Sequence, residues 1–214
     1  MSKEYGYIGK EVTQAFRSNK GIFTPQDIIE LDQENKWTNF GQLELIETQT
    51  VTSAVTYIDF TNLQENVYDV HFLTWNNVHP QSDTKTLTLR LSDDGGSSYE
   101  TSNYDFAFWN ITSSGGDVES RSTSGTFMYC STSVGTGTGE SANGYCYLYN
   151  LGDSTKYSFN TFHNSDLQAA PRFQNFFGSQ IYHEASTINA FRLGTSDGSS
   201  TYTGDFSLYG IRSF

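Results

Sequence analysis

The sequence predicts an all-β protein, an antiparallel jelly-roll-like β-sandwich of about ten strands. The first observation is alternation. Residues 86–91 read Thr-Leu-Thr-Leu-Arg-Leu, which places Leu87, Leu89 and Leu91 on the inner face of a strand and Thr88 on the solvent face. The second is that clusters of Gly, Ser, Asp and Asn separate such runs. The third is composition: aromatic residues make up 15% of the 214 residues, so Phe and Tyr fill much of the core.

An extended N-terminal arm precedes the sandwich, and its charge differs from that of the body. The charged residues of the arm are Lys3, Lys10, Arg17 and Lys20 against Glu4 and Glu11. They give residues 1–20 a charge of +2, and subtracting this from the net −12 leaves −14 for the remainder. An acidic body disfavours nucleic-acid phosphates. The arm either docks on an acidic surface, its own or a partner's, or is a solvated tail.

We expect the aromatic and basic side chains of the arm to anchor it. These residues are Tyr5, Tyr7, Lys10, Phe16, Arg17, Lys20 and Phe23. Their spacing follows neither a helical nor a strand period, which fits an extended segment that needs a partner groove.

A short helix follows the arm. Thr-Pro-Gln-Asp at residues 24–27 is a helix-start signal, because threonine caps the backbone N–H groups and proline suits the first helical position. The pattern predicts a helix over residues 25–34, after which Trp37 and Phe40 hold the segment to the body. We therefore divide the chain into an anchoring arm with its helix, residues 1–42, and the sandwich, residues 43–214.

From residue 43 onward, alternation and turn residues predict the strands in order. They are expected at residues 51–60, 67–75, 84–91, 104–111, 126–131, 144–150, 156–163, 180–183, 187–193 and 203–211. The strand at 104–111 is apolar on both faces, which predicts a central position. The stretches 113–125 and 134–144, rich in Gly, Ser and Thr, are expected to be surface loops, either passive connectors or binding loops.

Two turns share one pattern, running from Arg-Leu through Gly, Ser and Asp to Tyr at residues 90–99 and 192–202. We expect tight hairpins at both. The acids in them, Asp93, Asp94 and Asp197, favour turn chemistry over a calcium site. Residues 194–198 match G-x-S-x-G, but a strand pattern follows instead of the helix that a nucleophile elbow needs.

No catalytic or cofactor motif stands out, and we expect no cofactor and no bound metal. The four histidines, His71, His79, His163 and His183, lack the spacing of a zinc site. Acids near strands are Glu44, Asp59, Asp69, Asp105 and Glu184. A glycosidase needs two of them about 5–9 Å apart, and the sequence selects no pair. Cys130 and Cys146 are expected to be buried free thiols, in preference to a pair bridged across a hairpin.

One strand carries a stripe of tyrosines. Tyr145, Tyr147 and Tyr149 share a face because strand side chains alternate. The stripe either packs, in the core or between subunits, or forms a platform on which sugar rings stack at the surface.

The N-terminus shows no secretory signal pattern, and the sequence contains no apolar run of 18 residues. We therefore expect cytoplasmic synthesis without membrane insertion.

Several segments together resemble virion proteins of marine tailed phages. Residues 7–16, Tyr-Ile-Gly-Lys-Glu-Val-Thr-Gln-Ala-Phe, resemble the leader segments of tail fibres and related proteins. Residues 40–51, 58–63, 87–99 and 204–211 resemble the β-sandwich domains of the same proteins. The resemblance covers the arm and residues 40–214. It rests on turn-and-strand patterns and carries over no functional residue. The long repetitive shaft of such fibres is absent from this chain, which leaves a capsid decoration protein open.

The resemblance implies a non-enzymatic phage virion surface protein, tail-fibre- or adhesin-like, anchored to the particle by its arm. Its expected partners are other virion proteins, further copies of itself, with a trimer favoured by analogy, and a host surface glycan, but no nucleic acid. The alternatives are a capsid decoration (cement) protein that stabilises capsomers, and a carbohydrate-binding module or glycan hydrolase.

Overall fold

The computed structural model describes residues 24–33, 43–169 and 172–211. The chain divides into two units, residues 1–42 and 43–214. The first unit contains helix α1, Pro25–Gln33. The backbone N–H of Asp27 donates to Thr24 Oγ1 at 3.2 Å, and the N–H of Thr24 donates to Asp27 Oδ2 at 2.8 Å. This reciprocal cap confirms the predicted helix start.

The residues expected to anchor the arm lie outside the described part of the chain. They are Tyr5, Tyr7, Lys10, Phe16, Arg17, Lys20 and Phe23, and the same holds for Trp37 and Phe40. No helix within the described residues has the length and apolar character needed to cross a membrane.

The second unit is all-β, as predicted. Its strands are β1 (Leu43–Val55), β2 (Tyr57–Phe60), β3 (Val70–Pro80), β4 (Leu87–Ser92), β5 (Tyr104–Thr112), β6 (Asp117–Gly125), β7 (Met128–Tyr129), β8 (Ala142–Tyr149), β9 (Tyr157–Leu167), β10 (Phe173–Ala185), β11 (Ala190–Thr195) and β12 (Tyr202–Ile211). They form a large antiparallel sheet, β1-β12-β3-β8-β9-β10-β5-β6, and a small one, β2-β11-β4-β7.

Eight of these strands wrap as a jelly roll. The outermost strands in sequence pair with each other and the inner ones nest within them: β1 pairs with β12, β2 with β11, β3 with β8 and β4 with β7. Along the chain these strands alternate between the two sheets, except that β4 and β7 both lie in the small one. Two antiparallel pairs, β5-β6 and β9-β10, are inserted into this plan. They extend the large sheet beyond β8 by four strands.

The core lies between the two sheets. Leu87, Leu89 and Leu91 point inward and are buried, as the alternation predicted. They belong to one continuous buried cluster that includes Trp75 and Phe206 of the large sheet. The prediction that Thr88 faces solvent is wrong, because Thr88 is buried and its Oγ1 donates to the carbonyl of Gly194 at 2.9 Å.

Several predicted elements differ from the structure, whose described residues form twelve strands where about ten were expected. The expected strand at 51–60 breaks at Thr56, where the chain passes from the large sheet to the small one. The expected loop at 113–125 contains β6, which lies at the edge of the large sheet and, among the described strands, pairs with β5 alone. As a result β5 is the second strand from the edge and not a central one. An edge strand with one partner needs no apolar alternation, so its polar sequence gave no strand signal.

The second expected surface loop, residues 134–144, is exposed mainly at residues 136–139. Val134 is buried and forms isolated bridges to Lys85 and Gln168. This segment therefore packs into the molecule instead of projecting from it.

The two similar turns are not hairpins, because they join β4 to β5 and β11 to β12, which lie in different sheets. Their turn chemistry is as expected. Gly95 and Gly96 have positive φ values of 74° and 86°. Hydrogen bonds from the backbone N–H and the hydroxyl of Ser98, and from the Ser92 hydroxyl, lower the pKa of Asp94 to about 2. Gly and Asp specify a chain reversal, but they do not specify whether the flanking strands pair.

Candidate functional site

In β9 and β10 the usual polarity of a sandwich strand is reversed. The inward side chains are mostly polar and buried: Ser158, Asn160, Asn164 and Asp166 in β9, and Gln174 and Gln180 in β10. The outward side chains include exposed Tyr157, Phe159, Phe173 and Phe177. An antiparallel sheet with one solvated face normally has apolar side chains inside and polar side chains outside. The polar inner side and the aromatic outer side of these strands therefore both need a physical explanation.

Two of the polar side chains inside, Gln180 and Gln174, bond to residues 126–141, a segment that is irregular apart from the short strand β7. The N–H of Tyr129 donates to Gln180 Oε1 at 2.6 Å, and Gln180 Nε2 donates to the Tyr129 carbonyl at 2.9 Å. Gln174 Nε2 donates to Thr132 Oγ1 at 2.6 Å. Buried polar groups that no sheet ladder satisfies need such partners. The reversal inside is therefore structural.

Asp166 belongs to the same buried network. Asn164 Nδ2 donates to Asp166 Oδ2 at 2.7 Å, and Trp75 Nε1 donates to Asn164 Oδ1 at 2.9 Å. Burial, opposed by the Asn164 hydrogen bond, raises the pKa of Asp166 to about 7. Because Asp166 is buried, we assign this carboxyl to packing and not to a reaction with an outside substrate.

The outward side chains form one continuous surface on the large sheet. We call it the aromatic face, and its members are Phe72, Trp109, Tyr145, Tyr147, Tyr149, Phe159, His163, Phe177 and Tyr209. Ring centroids lie 6.1 Å apart for Tyr209 and Phe72, 5.7 Å for Phe72 and Tyr145, 5.9 Å for Tyr145 and His163, and 6.0 Å for His163 and Phe177. Ring contacts thus run from β12 to β10, and Trp109 of β5 pairs with Phe177 in the strand register.

The tyrosine stripe predicted from the sequence lies in this face. Tyr145, Tyr147 and Tyr149 point to the same side of β8, as expected, and Phe72 contacts the first two. The remaining members were missed because they come from five other strands. Only the order of strands in the sheet brings them together.

The register arranges the aromatic face in rows that cross the strands. A ridge row consists of successive cross-strand partners Tyr145, His163, Phe177, Trp109 and Glu119. The adjacent groove row consists of Tyr147, Thr161, Ser179, Ala107 and Arg121. In β9, β10 and β5 the ridge row carries rings and the groove row carries small side chains. The sheet surface is therefore corrugated across these strands.

Beyond the groove row the surface rises again at Phe159 and Ile181, which are cross-strand partners. An open cavity of about 540 Å³ lies along the groove row. Its lining includes Ala107, Arg121, Phe159, Ser179 and Ile181. The cavity is thus a trough with a small-residue floor and an apolar wall.

Charges lie at the edge of this surface. Arg121 Nη1 and Glu119 Oε1 of the edge strand β6 are 2.8 Å apart, and both side chains are exposed. His183 Nδ1 lies 3.6 Å from Asp105 Oδ2 near one end of the groove. An apolar centre with charges at the rim is the usual anatomy of a protein contact surface.

The other candidate groups have separate structural roles. His71 Nε2 lies 2.8 Å from the Leu63 carbonyl, and His79 Nδ1 lies 2.8 Å from the Glu140 carbonyl. Within the residues that the structure describes, no group of three or more His, Cys, Asp or Glu side chains could hold a metal ion. Cys130 and Cys146 are buried and free, as expected, and burial raises the pKa of Cys146 to about 12.

The outer face of the small sheet carries a packed arginine. Arg192 contacts both carboxylate oxygens of Asp59, at 2.6 and 2.7 Å. Its guanidinium lies between the rings of Tyr57 and Tyr99, 4.2 and 4.1 Å from their centroids. Because Tyr99 ends the turn that follows β4, the stack holds this turn against the small sheet.

The fold and this surface define the chain as an all-β jelly-roll protein with an enlarged, aromatic-faced sheet. Comparisons with family models, curated proteins and solved structures find no match to the chain. The sequence resemblance to phage virion proteins therefore stays a prediction, and the functional argument rests on the geometry of the aromatic face.

Proposed function

We propose that this chain is a non-enzymatic surface protein of a tailed-phage virion, tail-fibre- or adhesin-like, attached by its N-terminal arm and presenting the jelly-roll body. The observation that carries the proposal is the aromatic face. Exposed rings on four neighbouring strands form a contiguous apolar patch, and such patches on soluble proteins mark contact surfaces. A body that presents such a face fits a binding protein better than an enzyme.

The described carboxylates support a binding role, because several of them are already engaged in the fold. Asp59 is held by Arg192, Asp94 closes its turn, and Asp166 is buried. A catalytic acid pair needs two carboxyl groups facing an open substrate cleft. The groove row supplies a trough, but its lining includes one acid, Asp105.

Deleting residues 1–20 tests the anchoring role of the arm. These residues carry the +2 charge on an otherwise acidic chain, which favours docking on an acidic particle surface. The truncated protein should keep the thermal unfolding midpoint of the full chain but fail to join particles when supplied during infection. Incorporation of the truncated protein at full-length occupancy would overturn the anchoring role.

Labelling the protein on intact particles separates the proposal from its nearest rival. An adhesin should appear on the tail or on fibres. A capsid decoration protein that stabilises capsomers should instead appear at regular positions on the head, and particles lacking it should lose their contents at lower temperature.

A second candidate, a carbohydrate-binding module, is favoured by the trough itself. Its lining includes the ring of Phe159 and the hydroxyl of Ser179, which suit a neutral glycan. A glycan array probed with the full chain, followed by a depolymerisation assay on each glycan bound, tests binding and hydrolysis separately. Binding that is lost in Ser179→Trp, which fills the trough, would establish this role.

A further inference from the structure

We infer that the aromatic face pairs with the same face of a second copy of this chain, about a two-fold axis between the ridge row and the groove row. The inference does not depend on a virion role, because it concerns the isolated chain. Its basis is the corrugation of the large sheet. A surface that carries both a ridge and an adjacent groove is complementary to itself.

The rotation can be followed residue by residue. A half turn about an axis parallel to the rows, lying between them in the plane of contact, places each ridge row over the groove row of the other copy. Phe177 then faces the partner's Ser179, because both lie on β10. Trp109 faces the partner's Ala107 on β5 in the same way. Across β9, β10 and β5 each ring meets a small side chain, as two stacked sheets need, and on β8 Tyr145 faces the partner's Tyr147.

The same rotation pairs opposite charges at the rim. Glu119 ends the ridge row and Arg121 ends the groove row, both on β6. In the pair, Glu119 faces the partner's Arg121, and the symmetric contact forms as well. Within one chain these side chains already form an exposed ion pair at 2.8 Å. The axis that places each ridge row over a groove row therefore also places Glu119 opposite Arg121. The charge match is independent of the steric fit of the rows.

The surface is large enough for a stable contact. The seven strands from β12 to β6, which carry the aromatic face and its charged rim, span about 29 Å at the usual spacing, and three rows extend about 20 Å along the strands. This gives roughly 600 Å² per copy, the lower end of the range for stable interfaces. A standard interface buries about 800 Å² per partner. Opposing this, each copy carries a net charge of −12, so salt should strengthen the association by screening the long-range repulsion.

The test measures the mass of the full chain by light scattering and sedimentation, over a range of concentrations, for the wild type and three variants. Phe177→Ser removes the centre of the ridge, and Ser179→Trp fills the groove. Val67→Ser is the matched control, because Val67 is an exposed apolar residue in the loop before β3, off the large sheet. Circular dichroism and thermal unfolding verify that each variant folds, and both substituted positions on the face are exposed.

The wild type and the control should both show twice the chain mass, and each face variant should weaken association by at least about tenfold, as expected at a packed interface centre. Arg121→Glu should weaken it as well, and Arg121→Glu combined with Glu119→Arg should restore it. Folded monomers at every concentration, a trimeric mass, or a dimer unaffected by the two face variants would overturn the inference. Glycan binding by a wild-type monomer would assign the face to the carbohydrate role instead.

Discussion

Phe159 and Asn160 are consecutive residues of β9, yet the phenylalanine is 44% exposed and the asparagine 1%. The pleat sends them to opposite faces of the large sheet. Asn160 lies with the buried amides that serve the 126–141 segment, where Gln180 Nε2 donates to its Oδ1 at 3.2 Å. Phe159 lies on the aromatic face. The inward side of this strand therefore bonds within the chain, and its outward ring belongs to the face that we propose pairs with a second copy.

If the aromatic face serves contact and not folding, its rings should matter little to the stability of the monomer. Phe159→Ala should lower the free energy of unfolding by less than about 1 kcal/mol. Phe162→Ala, three positions along on the inner face, should cost about 3–5 kcal/mol. Urea unfolding in dilute solution measures both, and equal losses would contradict the assignment of faces.

The strand that first indicated the fold gives a second prediction. Leu89→Ala should cost about 2–5 kcal/mol, the range for a buried leucine. Thr88→Ala should cost about 1 kcal/mol, because it removes a buried hydrogen bond to the Gly194 carbonyl. Thr138→Ala is the control, since Thr138 is exposed, and it should change stability by less than about 0.5 kcal/mol. Thermal unfolding of the three variants measures these losses of stability. If Thr88→Ala loses no more stability than Thr138→Ala, the hydrogen bond of Thr88 does not contribute to stability.

Replacing Gln180 should lower the free energy of unfolding far more than replacing its sequence neighbour Ser179. Gln180→Leu keeps the size of the side chain but leaves the N–H and carbonyl of Tyr129 without the partners they have in the wild type. We expect a loss of about 2–4 kcal/mol. Ser179→Ala, on the exposed face, should be nearly neutral. Denaturant midpoints of the two variants measure the difference, and similar midpoints would mean that water replaces the amide.

Asp166 predicts a specific pH dependence. Its pKa in the folded state is about 7, against 3.8 for the unfolded reference. The folded state therefore holds the proton more tightly, and this residue contributes stability below about pH 4 that is lost as the pH rises to about 7. Asn cannot ionise, so the stability of Asp166→Asn relative to wild type should increase between pH 4 and pH 8, by at most about 4 kcal/mol. A difference that is the same at both pH values would show that Asp166 does not titrate in this range.

Much of the fold could be predicted because the strand signal is local. Leu87, Leu89 and Leu91 alternate visibly, and Thr24 caps the helix with residues close in sequence. The strand β6 could not be predicted, because Asp117–Gly125 is polar and its pairing with β5 is fixed by the order of strands in the sheet. The pairing of strands across the two turns depends equally on distant parts of the chain.

The aromatic face was predictable only in part, because it too depends on which strands are neighbours in the sheet. The alternation of Tyr145, Tyr147 and Tyr149 showed that they share a face, but not what else shares it. Phe177 and Trp109 join them through cross-strand register, which no local pattern encodes. Alternation in β9 likewise separates Phe159 from Asn160 without indicating which of the two points inward.

Hydroxyl-radical footprinting of two tyrosines tests the central claim most directly. Tyr145 lies on the aromatic face and Tyr57 on the outer face of the small sheet, and each is 39% exposed in the single chain. On raising the concentration of the full chain, labelling of Tyr145 should fall several-fold while labelling of Tyr57 stays constant. Equal labelling of Tyr145 at low and high concentration, with Tyr57 unchanged, would contradict a contact between copies through this face.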